Sequence, residues 1–157
     1  MREIPLSCGK IAQVDDEDYE WLIEFGYRRH KGKYTDYACT SHHKMQKLMH
    51  RLIAEKHHLL SDDFPFVDHI DGNGLNNQKV NLRACSMSQN GCNRRMEKGN
   101  QSGFKGVHFH QGLWRTEIRL GNLRIRKSGF RTKEEAAIFY NEQAIILHGL
   151  FAKLNDV

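Results

Sequence analysis

The chain is poor in the features that mark secreted, membrane-bound or zinc-ribbon proteins. Its four cysteines, Cys8, Cys39, Cys85 and Cys92, form no CxxC pair. That argues against a zinc ribbon, and four scattered thiols are too few to staple 157 residues as a disulfide scaffold. No apolar run has the length needed to cross a bilayer, and the opening MREIPLSCGK lacks the apolar centre of a signal peptide. No internal repeat or low-complexity segment is present. The expectation is a soluble cytoplasmic protein with reduced thiols and no membrane partner.

What is present is a local charge imbalance. The net charge is +5, yet residues 1–60 are nearly balanced, with ten basic against nine acidic residues. Between Lys105 and Lys133 eight Lys or Arg face one acid, Glu117. A basic block confined to one module is what phosphate binding needs, although charge alone also describes a solvated surface. Apolar residues make up 39% of the chain, enough for small cores in one ordinary domain or two small ones.

Periodicity supplies the frame. Asp15-Asp16-Glu17-Asp18 precedes YEWLIEF, and acids at a helix start are favoured by capping and by the macrodipole, so they read as a helix N-terminus rather than a metal site. Tyr34–Thr40 reads as a strand and Lys47–Leu60 as a helix packed on a core. On that helix His50 is expected in a core-lining or surface role, and His57-His58 exposed at its end, with no carboxylate nearby to share a metal. A β-β-α pattern follows: strand Phe66–Ile70, a Gly/Asn loop Asp71–Gln78, strand Asn81–Cys85, and a helix from Ser86, where Ser86 and Gln89 fit a capping box. Glu97–Gly103 reads as a linker. Beyond it, runs Gly106–His110, Leu113–Leu120 and Leu123–Phe130 are separated by the hairpin turns Gln111-Gly112 and Gly121-Asn122. Alternation places Trp114, Thr116, Ile118 and Leu120 on one face, and Arg115, Glu117 and Arg119 on the other. Thr132 and Glu135 then cap a helix with Ala136, Tyr140, Ala144 and Leu147 on one stripe.

The densest chemistry lies in VDHIDGNGLNNQKVNLRACSMSQNGCNRR, residues 67–95. A carboxylate, an imidazole and carboxamides within thirty residues suit one divalent cation held beside a base that activates water. Hydrolysis of a phosphodiester needs a proton acceptor, which a histidine near its ordinary pKa supplies, and neutralisation of the leaving oxygen, which a cation supplies. Neighbours in a strand point to opposite faces, so Asp68 and His69 meet a common partner only if the pleat bends or a turn intervenes.

DHIDGNGLNN…NL…QN resembles the signature of the HNH nucleases, in particular the phage and intron-associated homing endonucleases. The resemblance spans about thirty residues and implies a ββα fold gripping one cation. By position, Asp68 is implied as a metal ligand, His69 as the general base, Asn81 as the residue that brances the hairpin and helps orient the histidine, and Asn90 as the second metal ligand. Asn in place of the last His is usual in this branch. Met49–Ala54, MHRLIA, is similar to the helix that precedes the motif, and Arg94 and Arg95 are assigned to phosphate contacts. The polar turn residues Asn73, Asn76 and Asn77 can equally serve the turn backbone, and Asp71 either supports the metal or caps the turn.

Residues 102–155 resemble the ethylene-response-factor type of DNA-binding domain. The resemblance is carried by Lys105-Gly106-Val107, Trp114, Ile118-Arg119, Gly129-Phe130, Thr132, Glu134 to Ala137, Tyr140, Gly149 and Leu154-Asn155. It implies a sheet in the major groove with arginines on its exposed face. Arg115, Arg119, Arg124 and Arg126 hold that face, with Lys105 and His108 as additions. Arg is the side chain best suited to bidentate contact with guanine.

The resulting expectation is an α+β protein: an N-terminal region plus nuclease module at 1–97, with its ββα-metal core at 66–97, then a three-stranded antiparallel sheet on one helix at 102–157. It would be a site-specific endonuclease on double-stranded DNA, using Mg²⁺ or alternatively Mn²⁺, working as a monomer that nicks or a homodimer that cuts both strands. It would act in a bacterial host if encoded by a phage. Products would carry 5′-phosphate and 3′-hydroxyl ends. The rival from another class is a non-catalytic DNA-binding regulator with a degenerate motif. An RNA-binding or structural basic protein has only charge in its favour.

Overall fold

The computed structural model describes residues 1–42, 45–93 and 99–157. It is a mixed α and β structure of small antiparallel sheets and few helices, divided into two compact units, Met1–Met87 and Ser88–Val157.

In the first unit β1 (Arg2–Pro5) pairs with β2 (Ile11–Val14), and α1 (Asp16–Leu22) follows. A second sheet joins β3 (Arg28–Lys31), β4 (Asp36–His42) and β5 (Met45–Leu48), with β4 in the middle. Helix α2 (Met49–Lys56) lies on β4 and on the hairpin of β6 (Phe66–His69) and β7 (Leu82–Cys85). The core between these layers holds Ile4, Val14, Leu22, Met49, Ile53 and Leu82, with Leu22, Met49 and Ile53 fully buried. Burying side chains of that size contributes roughly 1.5–3 kcal/mol each, which is what clamps α2 to the hairpin.

Several boundaries differ from those expected, each for a local reason. The helix expected at 47–60 begins at Met49, because Met45–Leu48 is taken up by the sheet, with Leu48 opposite Cys39. It ends at Lys56, and His58 beyond it adopts φ 52°, which a continuing helix excludes. The strand expected at 34–40 is shifted to Asp36–His42. Asn81, expected on the second hairpin strand, closes a 3-10 turn, Lys79–Asn81, and the strand starts at Leu82.

The acids 15–18 form a helix N-terminus as expected, with Asp15 at the N-cap and Asp16, Glu17 and Asp18 in the first turn, and two of them also reach distant partners. Asp15 makes no cap bond. Its carboxylate accepts from the Lys79 backbone N–H at 2.7 Å and from the Gln78 amide at 3.3 Å, so it fastens the end of the Asp71–Gln78 loop. Asp18 is fully buried and accepts from Trp21 Nε1 at 3.0 Å and Lys56 Nζ at 3.3 Å, with His57 Nε2 at 2.8 Å. Burial opposes its charge, but the bond to His57 leads the contacts that outweigh that and lower its pKa. The expectation that His57 is exposed without a carboxylate nearby is thereby corrected. His58 is the exposed one.

In the second unit α3 (Met87–Cys92) continues the chain, and β8 (Val107–His110), β9 (Leu113–Leu120) and β10 (Leu123–Phe130) form a meander with β9 central. Gln111 and Gly112 both take positive φ, 51° and 83°, the backbone a two-residue hairpin turn requires. Helix α4 (Lys133–His148) packs on the sheet through Ala136, Ala137, Tyr140 and Ala144, which meet Val107 and Ile118. The capping box is formed: Thr132 Oγ1 accepts from the Glu135 N–H at 3.1 Å, and Glu135 accepts from the Thr132 N–H at 3.3 Å. Gly106 is fixed by contact, since a Cβ there would lie 2.3 Å from the Tyr140 ring.

Candidate active site

The site in the first unit is built on the β6–β7 hairpin. Asp68 and His69 are both buried, at 6% and 5% exposure, and as strand neighbours they engage different partners. Asp68 stands opposite Arg83, whose Nε and Nη2 both donate to Oδ2, at 2.9 and 2.6 Å. His69 turns toward α2 and the loop. Its Nε2 lies 3.3 Å from Asn77 Oδ1, and its ring meets those of His50 and Tyr37 at centroid distances of 4.9 and 5.8 Å.

Asn77 sets the tautomer of His69. Its amide nitrogen donates to the Leu75 carbonyl at 3.1 Å, which turns Oδ1 toward the imidazole. An amide oxygen only accepts, so Nε2 carries the hydrogen and Nδ1 carries the basic lone pair. Burial lowers the His69 pKa. The Asn77 bond and the charges of Asp71 and Asp68 pull it back part of the way. The ring is therefore neutral at pH 7 and able to accept a proton.

The loop from Asp71 to Asn77 is held by side chains of its own. Asn81 Oδ1 accepts from the Asp71 N–H at 3.0 Å, and its Nδ2 donates to Asp71 Oδ1 at 3.0 Å and to the Asn76 carbonyl at 2.8 Å. Asp71 also accepts from the Asn73 N–H at 2.7 Å and from Asn76 Nδ2 at 2.9 Å. Burial works against its charge, and these bonds outweigh it, so its pKa is lowered. Gly74 lies flat on Tyr37, where a Cβ would come within 2.5 Å of the ring. Tyr37 thus supports the loop on one side and the two histidines on the other, and its own pKa is raised by burial and by the Asp68 charge.

The structure thus brings Asp68, His69 and Asn81 together within the first unit. The side-chain bonds of Asn81 described above go to the loop, and the amide beside His69 is that of Asn77. Asn90 is on α3, in the second unit. Arg94 and Arg95 lie outside the described residues. Among site residues not singled out from sequence are Tyr37, His50, Asn77 and Arg83. Each lay within a stretch already marked, Tyr37 in the strand at 34–40, His50 in MHRLIA, and Asn77 and Arg83 in residues 67–95, but none was given a part in the site.

The basic face of the second unit has an internal order. Arg126 stands opposite Glu117 and Arg124 opposite Arg119. Glu117 accepts from Arg119 Nε at 2.8 Å, Arg124 Nη2 at 2.5 Å and Arg126 Nη2 at 2.8 Å. Burial opposes its charge, and the guanidiniums of Arg119 and Arg126 outweigh that and lower its pKa. Two arginines directly opposite would repel, and the shared carboxylate removes the penalty. The three guanidiniums stay largely exposed, while Arg115 is half-buried and Lys105 Nζ donates to the Cys92 carbonyl at 2.5 Å.

Residues 47–92 match the family described as HNH endonuclease. The chain is 32% identical over 92 residues to protein 3.8 of Escherichia phage T7, an alignment covering 56% of this chain and 74% of the relative. It is 31% identical over 142 residues to an uncharacterized HNH endonuclease of Acanthamoeba polyphaga mimivirus, covering 88% of this chain and 72% of that protein. No solved structure matches the chain.

Proposed function

The chain belongs to the HNH endonuclease family, and we propose that it is a metal-dependent, site-specific endonuclease of the homing type acting on double-stranded DNA. The observation that carries the reading is His69: buried, neutral, and fixed by Asn77 in the tautomer that offers Nδ1 as a base. In the mechanism His69 removes a proton from water, whose oxygen attacks the scissile phosphorus. The nearby charges of Asp71 and Asp68 favour the imidazolium that results. Asn81 serves by holding the Asp71–Asn77 loop, and with it Asn77, in place.

HNH nucleases generally depend on a divalent metal, and the residues fit a hard one. The Asp68 carboxylate offers an oxygen donor suited to Mg²⁺ or Mn²⁺. Asp68 would hold the ion, which when bound would neutralise the phosphate and the departing 3′ oxygen. The products are 5′-phosphate and 3′-hydroxyl ends. One site makes one cut, so a monomer nicks and a homodimer breaks both strands.

The second unit serves targeting, as an ethylene-response-factor-like module. Support comes from the exposed guanidiniums of Arg119, Arg124 and Arg126, arrayed by Glu117 on one sheet face. Arg115, Lys105, Arg94 and Arg95 complete the proposed DNA contacts. The test is cleavage of supercoiled plasmid carrying candidate sites, with Mg²⁺ and with excess chelator. Open-circle or linear product from wild type but not from His69→Ala supports the nuclease. DNA binding without cutting by any of them supports the regulator.

A further inference from the structure

Residues 1–60 are nearly balanced in charge, yet YRRHKGKY at 27–34 gathers Arg28, Arg29, His30, Lys31 and Lys33. Arg28–Lys31 is β3, the edge strand beside β4, and all four of its residues are exposed. The register sorts them by face. Arg28 stands opposite Cys39 and His30 opposite Tyr37, whereas Arg29 stands opposite Ala38 and Lys31 opposite Asp36. Arg29 and Lys31 therefore share their face with an acid. Asp36 accepts from Lys10 Nζ at 2.5 Å and lies 3.9 Å from Arg29 Nη1. The bond from Lys10 leads the contacts that lower the Asp36 pKa, with Arg29 and Lys31 behind it. The other face is not compensated in this way. Arg28 Nη1 donates to Ser41 Oγ at 3.0 Å, and no carboxylate among the described residues pairs with it. Gln46 Nε2 donates to His30 Nδ1 at 3.0 Å, so the hydrogen of that exposed ring sits on Nε2.

This face leads to the candidate active site. The His30 ring lies 6.4 Å from the Tyr37 ring, which lies 5.8 Å from that of His69. His30 is thus at most about 12 Å from His69, roughly three to four nucleotides of one strand at about 3.4 Å of axis each. Charges on an edge strand discourage pairing with another chain, and cations on either face serve that purpose. Edge protection gives no reason for a guanidinium and an imidazole tethered by neutral side chains on the face that carries Tyr37. We propose that Arg28 and His30 form a phosphate-binding strip that holds the DNA backbone a few nucleotides from the phosphate cut at His69. This rests on the reading that the chain cuts duplex DNA. Arg28 gives a charged contact and His30 Nε2 a neutral hydrogen bond, and neither reads a base. Ser41 and Gln46 order the two side chains beforehand, so less rotamer freedom is lost on binding.

The experiment measures binding of the full chain to duplex DNA in chelator across a salt series, for wild type, Arg28→Gln, Arg29→Gln and His30→Phe. Melting temperatures should match wild type, since all three side chains are exposed. Arg28→Gln should make the fall of log affinity with log salt shallower by about one unit. Arg29→Gln should keep the wild-type slope. His30→Phe should weaken binding about two- to tenfold at unchanged slope. In Mg²⁺, Arg28→Gln should raise KM and leave kcat at the wild-type value, the mark of a contact made equally in ground and transition states. A wild-type slope in Arg28→Gln, or the same loss in Arg29→Gln, would overturn the strip and leave the nuclease reading intact. Aggregation of Arg28→Gln at an unchanged slope would do so in favour of edge protection. A wild type that binds duplex DNA without cutting it would remove the nuclease reading, while the Arg28→Gln slope still decides the strip. Failure of wild type to bind duplex DNA would remove both together.

Discussion

Arg83→Met gives the most direct test of how Asp68 is held. Asp68 is nearly buried, and both Arg83 donors converge on its Oδ2 at 2.9 and 2.6 Å. Removing one member of a buried pair leaves the other charge without compensation, at a cost of about 3–5 kcal/mol. The Arg83 side chain is 17% exposed, so water can partly replace it, and the lower end, about 3 kcal/mol, applies. For a unit the size of Met1–Met87 this is a fall of roughly 12 °C or more in melting temperature, measured by circular dichroism in chelator. Asp68→Asn combined with Arg83→Met removes the stranded charge and should recover most of the loss. Mg²⁺ should raise the melting temperature of Arg83→Met more than that of wild type, because the carboxylate has lost its competing cation. At tenfold excess over Kd that gain is about 1.4 kcal/mol. A double variant as unstable as the sum of its singles would refute the charge argument. An equal Mg²⁺ shift in Arg83→Met and wild type would refute Asp68 as the ligand.

Further perturbations read other parts of the structure. Asn77→Ala frees the His69 tautomer and should cost about ten- to a hundredfold in cutting rate with little change in DNA affinity, measured by single-turnover kinetics and gel shift. Asn77→Asp puts a carboxylate on the imidazole, so the acid limb of the rate profile should move to higher pH. His50 has its ordinary value of 6.5 lowered to about 3, so below pH 6.5 the unfolded chain binds a proton that the native state refuses. That contribution is neutral above pH 6.5 and destabilising as pH falls toward 3, about 2 kcal/mol by pH 5, and a urea titration of His50→Phe should lack it. Glu117→Gln removes the only acid among the face arginines, so log affinity for DNA should fall more steeply with log salt, by about one unit of slope. An unchanged slope would mean that those arginines do not meet phosphate.

The sequence made the chemistry more legible than the geometry. Hairpins, the Thr132 cap and the Arg/Glu alternation of β9 were readable because turns, caps and two-residue periodicity are local. Asp68 and His69 stood out because a carboxylate and an imidazole beside a run of carboxamides carry the HNH resemblance. The partners themselves were not readable. Tyr37 reaches His69 across 32 positions and Arg83 reaches Asp68 across the hairpin, and nothing in either neighbourhood marks the contact. The acids at 15–18 were readable as a helix start, which they are, whereas the bonds of Asp15 and Asp18 to residues some forty to sixty positions away were not.

Asn77 shows why the turn residues deserve the same scrutiny as the motif letters. Asn73, Asn76 and Asn77 are interchangeable by turn chemistry, and two of them do serve the turn: Asn73 Oδ1 accepts from the Leu75 N–H and Asn76 Oδ1 from the Gln78 N–H. Asn77 differs because its backbone N–H is fixed to the Gln13 carbonyl at 2.7 Å, which draws the residue inward until it is fully buried. A fully buried amide must spend both ends, and it spends one on Leu75 and the other on His69. The orientation of the base is therefore set from β2, through a backbone carbonyl that every substitution at Gln13 keeps. It follows that altering the Gln13 side chain should leave cutting intact, whereas lengthening the Asp71–Asn77 loop by one residue should abolish it without unfolding the core.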